Sequence, residues 1–282
     1  MKELIVKKEQ ELLSFLKENL TGSKNNIKSL LTNELISVNG KTVTKYNYLL
    51  KENDKITIGA KKVNSFLGNI KIIYEDKDII VVDKHSGMLT IATEEEKYSN
   101  NNLFYVLSNY VKKKNSNAKV YVVHRLDKDT SGVILFAKNE SLRDILQDKW
   151  NDIATRIYYA VVYGKTKDKE VLKSYLKEDK NLITYESNDG KLAITEYERV
   201  KYNDKYSLLK INIKTGRRNQ IRVQLKNINH PILGDSKYGK KDKSIKRMML
   251  HAETLEIMNP VNNKKMIFNS KLDNYFNRLV EK

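Results

Sequence analysis

The sequence contains no cysteine, which excludes disulfides, thiolate metal sites and cysteine nucleophiles. No stretch is apolar for the ~20 residues that a membrane helix needs, and the first residues lack the apolar core of a signal peptide. Only two prolines occur, neither of them in the irregular segment 59–65. The four histidines show no metal-ligand spacing. We therefore expect a cytoplasmic protein without a membrane span, a metal site or a cofactor.

Positive charge is abundant. The chain has 53 Lys and Arg against 35 Asp and Glu, a net charge of +18. This excess favours a polyanionic partner, because each basic residue placed on a phosphate releases condensed counterions. A lysine bias arising from genome composition is the alternative explanation. The apolar fraction of 40% indicates a folded chain of one or two domains.

Residues 1–62 are predicted to form a separate unit. Apolar residues recur at helical spacing over 12–20 and 27–31, Asn39-Gly40 is a strong hairpin signal, and 55–58 supplies a strand. The unit has 12 Lys and Arg against 7 Asp and Glu, a net charge of +5. Its pattern resembles the S-four-type RNA-binding domain. Lys24 and Lys28 are its candidate phosphate contacts, with a solvated helix face as the alternative.

Segment 59–65 is predicted to be a linker, and residues 69–282 a second domain. Strand and helix patterns alternate irregularly in this domain, without internal repeats. Such an order indicates an α+β fold with a largely antiparallel sheet.

The most specific string runs from His124 to Gly132 and lies between the apolar segments 122–123 and 133–137. This pattern predicts a loop held by two strands, a common place for catalytic groups. Asp127 and Asp129 lie beside basic residues, so at least one carboxylate should stay ionised and available as a nucleophile or a base. A simple turn is the alternative.

The string His124-Arg-Leu-Asp-Lys-Asp-Thr-Ser-Gly132 resembles the active-site motif of RluA-type RNA pseudouridine synthases, and Asp127 falls on the family's catalytic aspartate. The resemblance implies that uridine in RNA is flipped out of its stack, detached from its ribose, rotated and rejoined through carbon. Asp127 would either attack the anomeric carbon or remove the adjacent ribose proton. The sequence does not decide between the two routes.

Further family positions follow from the same resemblance. Tyr158 matches the ring that lies against the flipped base, and Arg222 matches the arginine that pairs with the catalytic aspartate. Arg125 matches the arginine that fills the vacated space, with a plain phosphate contact as the alternative. Leu250 matches the apolar wall of the uracil pocket.

Basic residues near these positions are predicted to contact RNA. Segment 215–225 resembles a family motif, with Asn219 and Gln224 in place of two histidines, and helical spacing predicts that Arg218 lies one turn from Arg222. Segment 237–247 holds six basic residues and one acidic residue. A solvated charged loop is the alternative there. The candidate RNA contacts are Arg217, Arg218, Lys237, Lys240 and Lys241.

The leading hypothesis is an RNA pseudouridine synthase with the pseudouridine synthase fold, a mainly antiparallel mixed sheet flanked by helices, plus a small N-terminal α/β RNA-binding domain. It would act as a monomer on ribosomal RNA, with transfer RNA as the alternative. A noncatalytic RNA-binding or ribosome-assembly factor is the alternative class, and the combination of Asp127, Tyr158 and Arg222 argues against it. A glycoside hydrolase would need a second carboxylate beside the sugar bond, for which no candidate is evident.

Overall fold

The computed structural model describes residues 2–20, 27–28, 30–31, 36–58, 70–92, 102–240, 242, 244–260 and 263–281. The chain divides into two compact units, Met1–Gly68 and Asn69–Lys282. The second helix predicted near residues 27–31 and the linker at 59–65 lie partly or wholly outside the described residues.

Among the described elements of the first unit, a helix packs on short antiparallel strands, and residues 27–28 and 30–31 are also helical. Strands β1, β6, β3 and β4 form a sheet in that order, and β2 pairs with β5. Asn39 and Gly40 have φ values of 50° and 81° and form the two-residue turn between β3 and β4. Strand β1 was not predicted from its short sequence. The described elements are β1 (Lys2–Ile5), β2 (Gln10–Glu11), α1 (Leu12–Asn19), β3 (Ile36–Val38), β4 (Lys41–Thr42), β5 (Leu49–Leu50) and β6 (Lys55–Ile58).

The second unit is built on one large mixed sheet. Its described elements are β7 (Lys71–Glu75), β8 (Ile79–Lys84), α2 (Leu103–Lys114), β9 (Tyr121–Val122), β10 (Ser131–Ala137), α3 (Glu140–Ile153), β11 (Ala154–Tyr163), β12 (Lys169–Glu178), β13 (Thr184–Glu186), β14 (Lys191–Tyr202), β15 (Tyr206–Ile213), α4 (Gln220–Asn227), β16 (Leu250–Met258), β17 (Lys265–Asn269) and α5 (Asn274–Arg278).

The strand order of this sheet is β13-β12-β14-β15-β11-β16-β10-β8-β7, with β17 on β16 and β9 on β10. Strands β10 and β16 run parallel, and the other described pairs are antiparallel. This arrangement confirms the predicted α+β class with its mainly antiparallel mixed sheet.

Helices cover both faces of the sheet near β10, whose residues are all buried. Ile134 and Phe136 point into the core that includes α2, whereas Val133 and Leu135 point into the core that includes α3. A strand buried on both faces is a continuous apolar run, which is why 133–137 was recognisable in the sequence.

Gly132 at the start of β10 joins this strand closely to β16. Its φ is 117°, and a Cβ there would lie 2.0 Å from the Ala252 carbonyl oxygen. Glycine is required at such a contact, because any side chain would force the strands apart. The contact places the loop before β10 next to the start of β16.

In the ranges that the structure describes, no helix combines the length and the apolar character that crossing a bilayer demands.

Candidate active site

The loop that carries Asp127 connects β9 to β10 and is held by buried hydrogen bonds. The Thr90 hydroxyl accepts the N–H of Leu126 at 3.2 Å and donates to the Leu126 carbonyl at 2.8 Å. The Thr130 N–H donates to the Asp127 carbonyl at 3.2 Å. The Leu126 side chain is buried, whereas the Asp127 side chain is 24% exposed. The loop therefore presents one carboxylate on a fixed backbone.

A fully buried lysine also supports this loop. Lys84 Nζ donates to three backbone carbonyls, including those of Met88 at 2.7 Å and Lys128 at 3.0 Å. Burial lowers the pKa of Lys84 to about 7, and the negative charge of Asp127 opposes that shift. Lys84 thus ties the end of β8 to the turn that follows Asp127.

Arg222 on α4 connects Asp127 to a second carboxylate. Its Nη1 donates to Asp127 Oδ2 at 2.9 Å, although the two residues are 95 positions apart. Its Nε and Nη2 donate to Oδ2 and Oδ1 of Asp235 at 2.7 and 2.9 Å. Asp235 is 1% exposed. Such a bidentate pair is strong and directional, so it fixes the plane of the guanidinium that faces Asp127.

The charges of this network stabilise one another. Burial alone would lower the pKa of Arg222, but the hydrogen bonds and charges of Asp235 and Asp127 raise it above its usual value. Burial alone would raise the pKa of Asp235, but Arg222 and the backbone N–H groups of Tyr238 and Lys237 lower it. Arg222 therefore remains cationic at physiological pH.

Helix α4 begins at Gln220, because Asn219 adopts a left-handed backbone with a φ of 52°. The prediction that Arg218 lies on this helix, one turn from Arg222, is therefore wrong. Arg218 lies in the preceding turn and pairs with Glu178 at 2.7 Å. Asn219 Oδ1 accepts a hydrogen bond from Arg222 Nη1 at 2.9 Å. The asparagine that departs from the family motif thus contacts the same nitrogen as Asp127.

Tyr158 and Leu250 are buried on the adjacent strands β11 and β16. Burial raises the pKa of Tyr158 to about 12, with Arg156 opposing the shift and Asp127 adding to it. The phenol therefore stays protonated at neutral pH. Tyr159 follows it on the opposite face of the strand.

A cavity of about 410 Å³ brings most of the predicted site residues together. Arg217 lines it through the turn before α4, where its Nε donates to the Leu192 carbonyl at 2.9 Å. Arg125 is exposed. The predicted residues that line the cavity are Arg125, Asp127, Tyr158, Arg217, Arg218, Arg222 and Leu250.

Of the remaining lysine candidates, Lys237 and Lys240 are described in the second unit and are not among the residues that line this cavity. Lys237 Nζ donates to the Leu182 carbonyl at 2.5 Å, and Lys240 Nζ lies 5.2 Å from the centre of the Tyr163 ring. Lys28 belongs to the first unit. Lys24 and Lys241 lie outside the described residues.

His124 lines the cavity as a packing residue. Its ring stacks on Trp150 with the centroids 4.5 Å apart, and its Nε2 accepts the N–H of Leu135 at 3.1 Å. Burial, with a smaller contribution from Arg156, lowers the pKa of His124 to about 3. The imidazole is therefore neutral, and its acceptor nitrogen is already occupied.

Three polar residues of the site were not proposed from the sequence, namely Lys84, Asp235 and Arg156. Arg156 is two residues before Tyr158, so strand alternation could have placed it on the same face. Nothing in the spacing of Lys84 and Asp235 predicts their partners. In the part of the chain that the structure describes, no group of three or more His, Cys, Asp or Glu could hold a metal ion.

Comparisons with known proteins identify the family of this chain. The family model described as RNA pseudouridylate synthase matches residues 78–227. An uncharacterised RNA pseudouridine synthase of Mycoplasma pneumoniae is 31% identical over an alignment that covers 95% of this chain and 90% of that protein. The ribosomal large subunit pseudouridine synthase D of Borreliella burgdorferi is 38% identical over 198 residues, covering 67% of this chain and 61% of that protein.

A solved structure shows the same fold. Human RNA Pseudouridylate Synthase Domain Containing 4 matches with a TM-score of 0.60 and 20% identity, over 73% of this chain and 89% of that chain. The family model spans more than half of the chain and includes both Asp127 and Arg222. The chain therefore belongs to the RNA pseudouridylate synthase family, as its RluA-type motifs predicted, and is an isomerase that acts on RNA.

Proposed function

We propose that the chain converts specific uridines of ribosomal RNA to pseudouridine, with Asp127 as the essential carboxylate. The observation that carries the proposal is the ion pair between Asp127 Oδ2 and Arg222 Nη1, 2.9 Å apart on the wall of the cavity. The reaction needs an anionic group at the ribose, and a partly exposed carboxylate with a fixed cationic partner meets that need.

Arg222 has two tasks in this proposal. Its Nη1 donates a charge-assisted hydrogen bond to Asp127 Oδ2, which holds the carboxylate in one orientation. Its anchoring by Asp235 fixes the direction from which Nη1 reaches Oδ2. The other carboxylate oxygen, Oδ1, is then directed to the sugar.

The flipped uracil would lie against the ring of Tyr158, with Leu250 as the apolar wall of its pocket. Stacking of a base on an aromatic ring contributes about 1–3 kcal/mol. Arg125 is exposed at the cavity, where it would fill the space that the base leaves in the RNA stack.

Ribosomal RNA is the proposed substrate because of two supporting observations. The Borreliella burgdorferi relative is named a ribosomal large subunit synthase. The net charge of +18 suits a large folded RNA. We further propose that residues 1–62 are an S-four-type RNA-binding domain and that a cytoplasmic monomer is the active form. The proposed phosphate contacts are Arg217, Arg218, Lys24, Lys28, Lys237, Lys240 and Lys241.

The test is an assay on unmodified ribosomal RNA transcripts that carry uridine tritiated at carbon 5, since pseudouridine formation releases this label. Asp127→Asn should lower the rate of release at least about a thousandfold while RNA affinity is retained. Asp129→Asn is the matched control, because it removes a carboxylate from the same loop, and it should keep most of the activity.

Label release by Asp127→Asn at the wild-type rate would contradict the catalytic assignment. RNA binding by the wild type without any release would instead support a noncatalytic RNA-binding factor. The choice of RNA is tested separately by mapping pseudouridines in cells with and without the protein. If cells without the protein lacked a pseudouridine in transfer RNA and none in ribosomal RNA, that result would overturn the choice of ribosomal RNA.

A further inference from the structure

Arg156 is a buried cation without a carboxylate partner among the described residues. It is 5% exposed, and its one hydrogen bond there runs from Nη2 to the Asn151 side-chain oxygen at 3.0 Å. Its Nε is buried and has no hydrogen-bond partner in those residues. An unpaired buried charge is costly, so proteins rarely keep one without a use for it.

The guanidinium of Arg156 faces the catalytic cavity. Gly216 lies beside it on the cavity wall, where an added Cβ would come within 3.1 Å of Arg156 Nη1. The absence of a side chain at 216 keeps this approach open. Burial lowers the pKa of Arg156, and Tyr158 opposes that shift. The cation therefore lies in a partly enclosed space that no acidic group of the described residues neutralises.

We propose that Arg156 binds a backbone phosphate of the RNA substrate, the one next to the flipped uridine. A planar guanidinium with free N–H donors matches the geometry of phosphate oxygens. The inference deepens the proposed function and rests on RNA as the molecule that enters this cavity.

Tyr158, Asp127 and Arg156 line one cavity and match the base, the ribose and the phosphate of one nucleotide. Arg156 and Tyr158 are two residues apart on β11, so their side chains share a face of the strand. Tyr158 is influenced by the charges of both Arg156 and Asp127. With the base on Tyr158 and the ribose at Asp127, the adjoining phosphate is the anion available to Arg156.

The experiment compares wild type, Arg156→Met and Arg156→Lys in filter binding of the unmodified ribosomal RNA transcript over a range of salt concentrations. Methionine removes the charge but keeps an unbranched apolar chain. Arg156→Met should weaken binding about tenfold, the effect of losing one charged hydrogen-bonded contact. The slope of log affinity against log salt should become shallower by about 0.7–0.9, the contribution of one phosphate. Arg156→Lys should keep the slope and lose part of the affinity.

Arg143→Met is the matched control. Arg143 lies on α3, pairs with Glu140 and Asp144, and does not line the cavity. Its loss should leave the salt slope unchanged.

Thermal unfolding of the RNA-free protein separates a ligand site from a structural role. Because the buried charge is unmatched, Arg156→Met should unfold at the same or a higher temperature than wild type. A lower Tm, failure to fold, or an unchanged salt slope would each overturn the proposal. Tritium release by the wild type tests the proposed isomerisation independently, since the slope depends on RNA binding alone.

Discussion

Arg222 and Arg156 line the same cavity, but only Arg222 pairs with carboxylates of the described residues. Arg222 and Arg156 are almost equally buried, at 8% and 5% exposure. Arg222 pairs with Asp127 and Asp235, which raise its pKa, whereas Arg156 contacts only an amide oxygen among the described residues, and burial lowers its pKa. The two arginines therefore do not differ in burial. They differ in whether a carboxylate of the described residues compensates the positive charge.

This difference indicates that the two arginines have different roles. A guanidinium that is neutralised within the protein can orient a catalytic carboxylate without holding the RNA. A guanidinium that is not neutralised becomes fully paired only when an anion enters the cavity. In our proposal, the same residue type thus positions a carboxylate in one case and binds the ligand in the other.

Replacing Arg222 should have the largest effect. Arg222→Met leaves Asp235 buried without its cation, so the free energy of unfolding should fall by about 3–5 kcal/mol. The rate of tritium release should fall about a thousandfold. Denaturant titration and the release assay measure the two effects.

Arg222→Lys sharpens this test, because lysine keeps the charge but cannot hold two carboxylates in a fixed plane. It should recover part of the stability and little of the activity. Unchanged stability and a shallower salt slope in Arg222→Met, as expected for Arg156→Met, would contradict the assignment of different roles to the two arginines.

Asp235→Asn should have the next largest effect, through Arg222. We expect kcat to fall about ten- to a hundredfold with little change in KM, because the substitution releases the arginine without touching the substrate. The free energy of unfolding should fall by about 3 kcal/mol at pH 7.

The pH dependence of this loss has a definite sign. The pKa of Asp235 is lower in the folded protein than in the unfolded chain, so its ionised form stabilises the fold above the unfolded value of about 4. That stabilisation disappears as the pH falls through the folded pKa. The difference between wild type and Asp235→Asn should therefore narrow below pH 4. Asp168→Asn, which removes an 84% exposed carboxylate that pairs with Arg199, is the control and should show a small difference at every pH.

Arg218→Met should have the smallest effect. The Arg218 side chain is 36% exposed and pairs with Glu178, so its loss should change the free energy of unfolding by less than about 1 kcal/mol. Arg218 is also a proposed phosphate contact, but Glu178 already compensates part of its charge, so the salt slope of RNA binding should change less than in Arg156→Met. An equal change would show that pairing within the protein does not distinguish the arginines of this cavity.

Much of the fold and of the site could be predicted because the signals are local. The apolar run 133–137 predicted a strand, and Asn39-Gly40 predicted a hairpin, since both depend on neighbouring residues. The motif around Asp127 and the resemblance of 215–225 to a family motif identified residues that line one cavity. The helical position of Arg218 could not be predicted correctly, because Asn219 interrupts the helix with a backbone conformation that its spacing does not reveal.

The sequence by itself determined the α+β class. It also identified the carboxylate, the aromatic ring and most of the arginines that line one cavity of the second unit. Only the tertiary structure decided that Arg222 bridges Asp127 and Asp235, and that Arg156 is buried with no compensating acid in the described ranges. The physical reason is that pairing and desolvation depend on which distant segments pack together. Asp127 and Arg222 lie 95 positions apart, and the charge around Arg156 is set by residues from α3, β11 and the turn before α4.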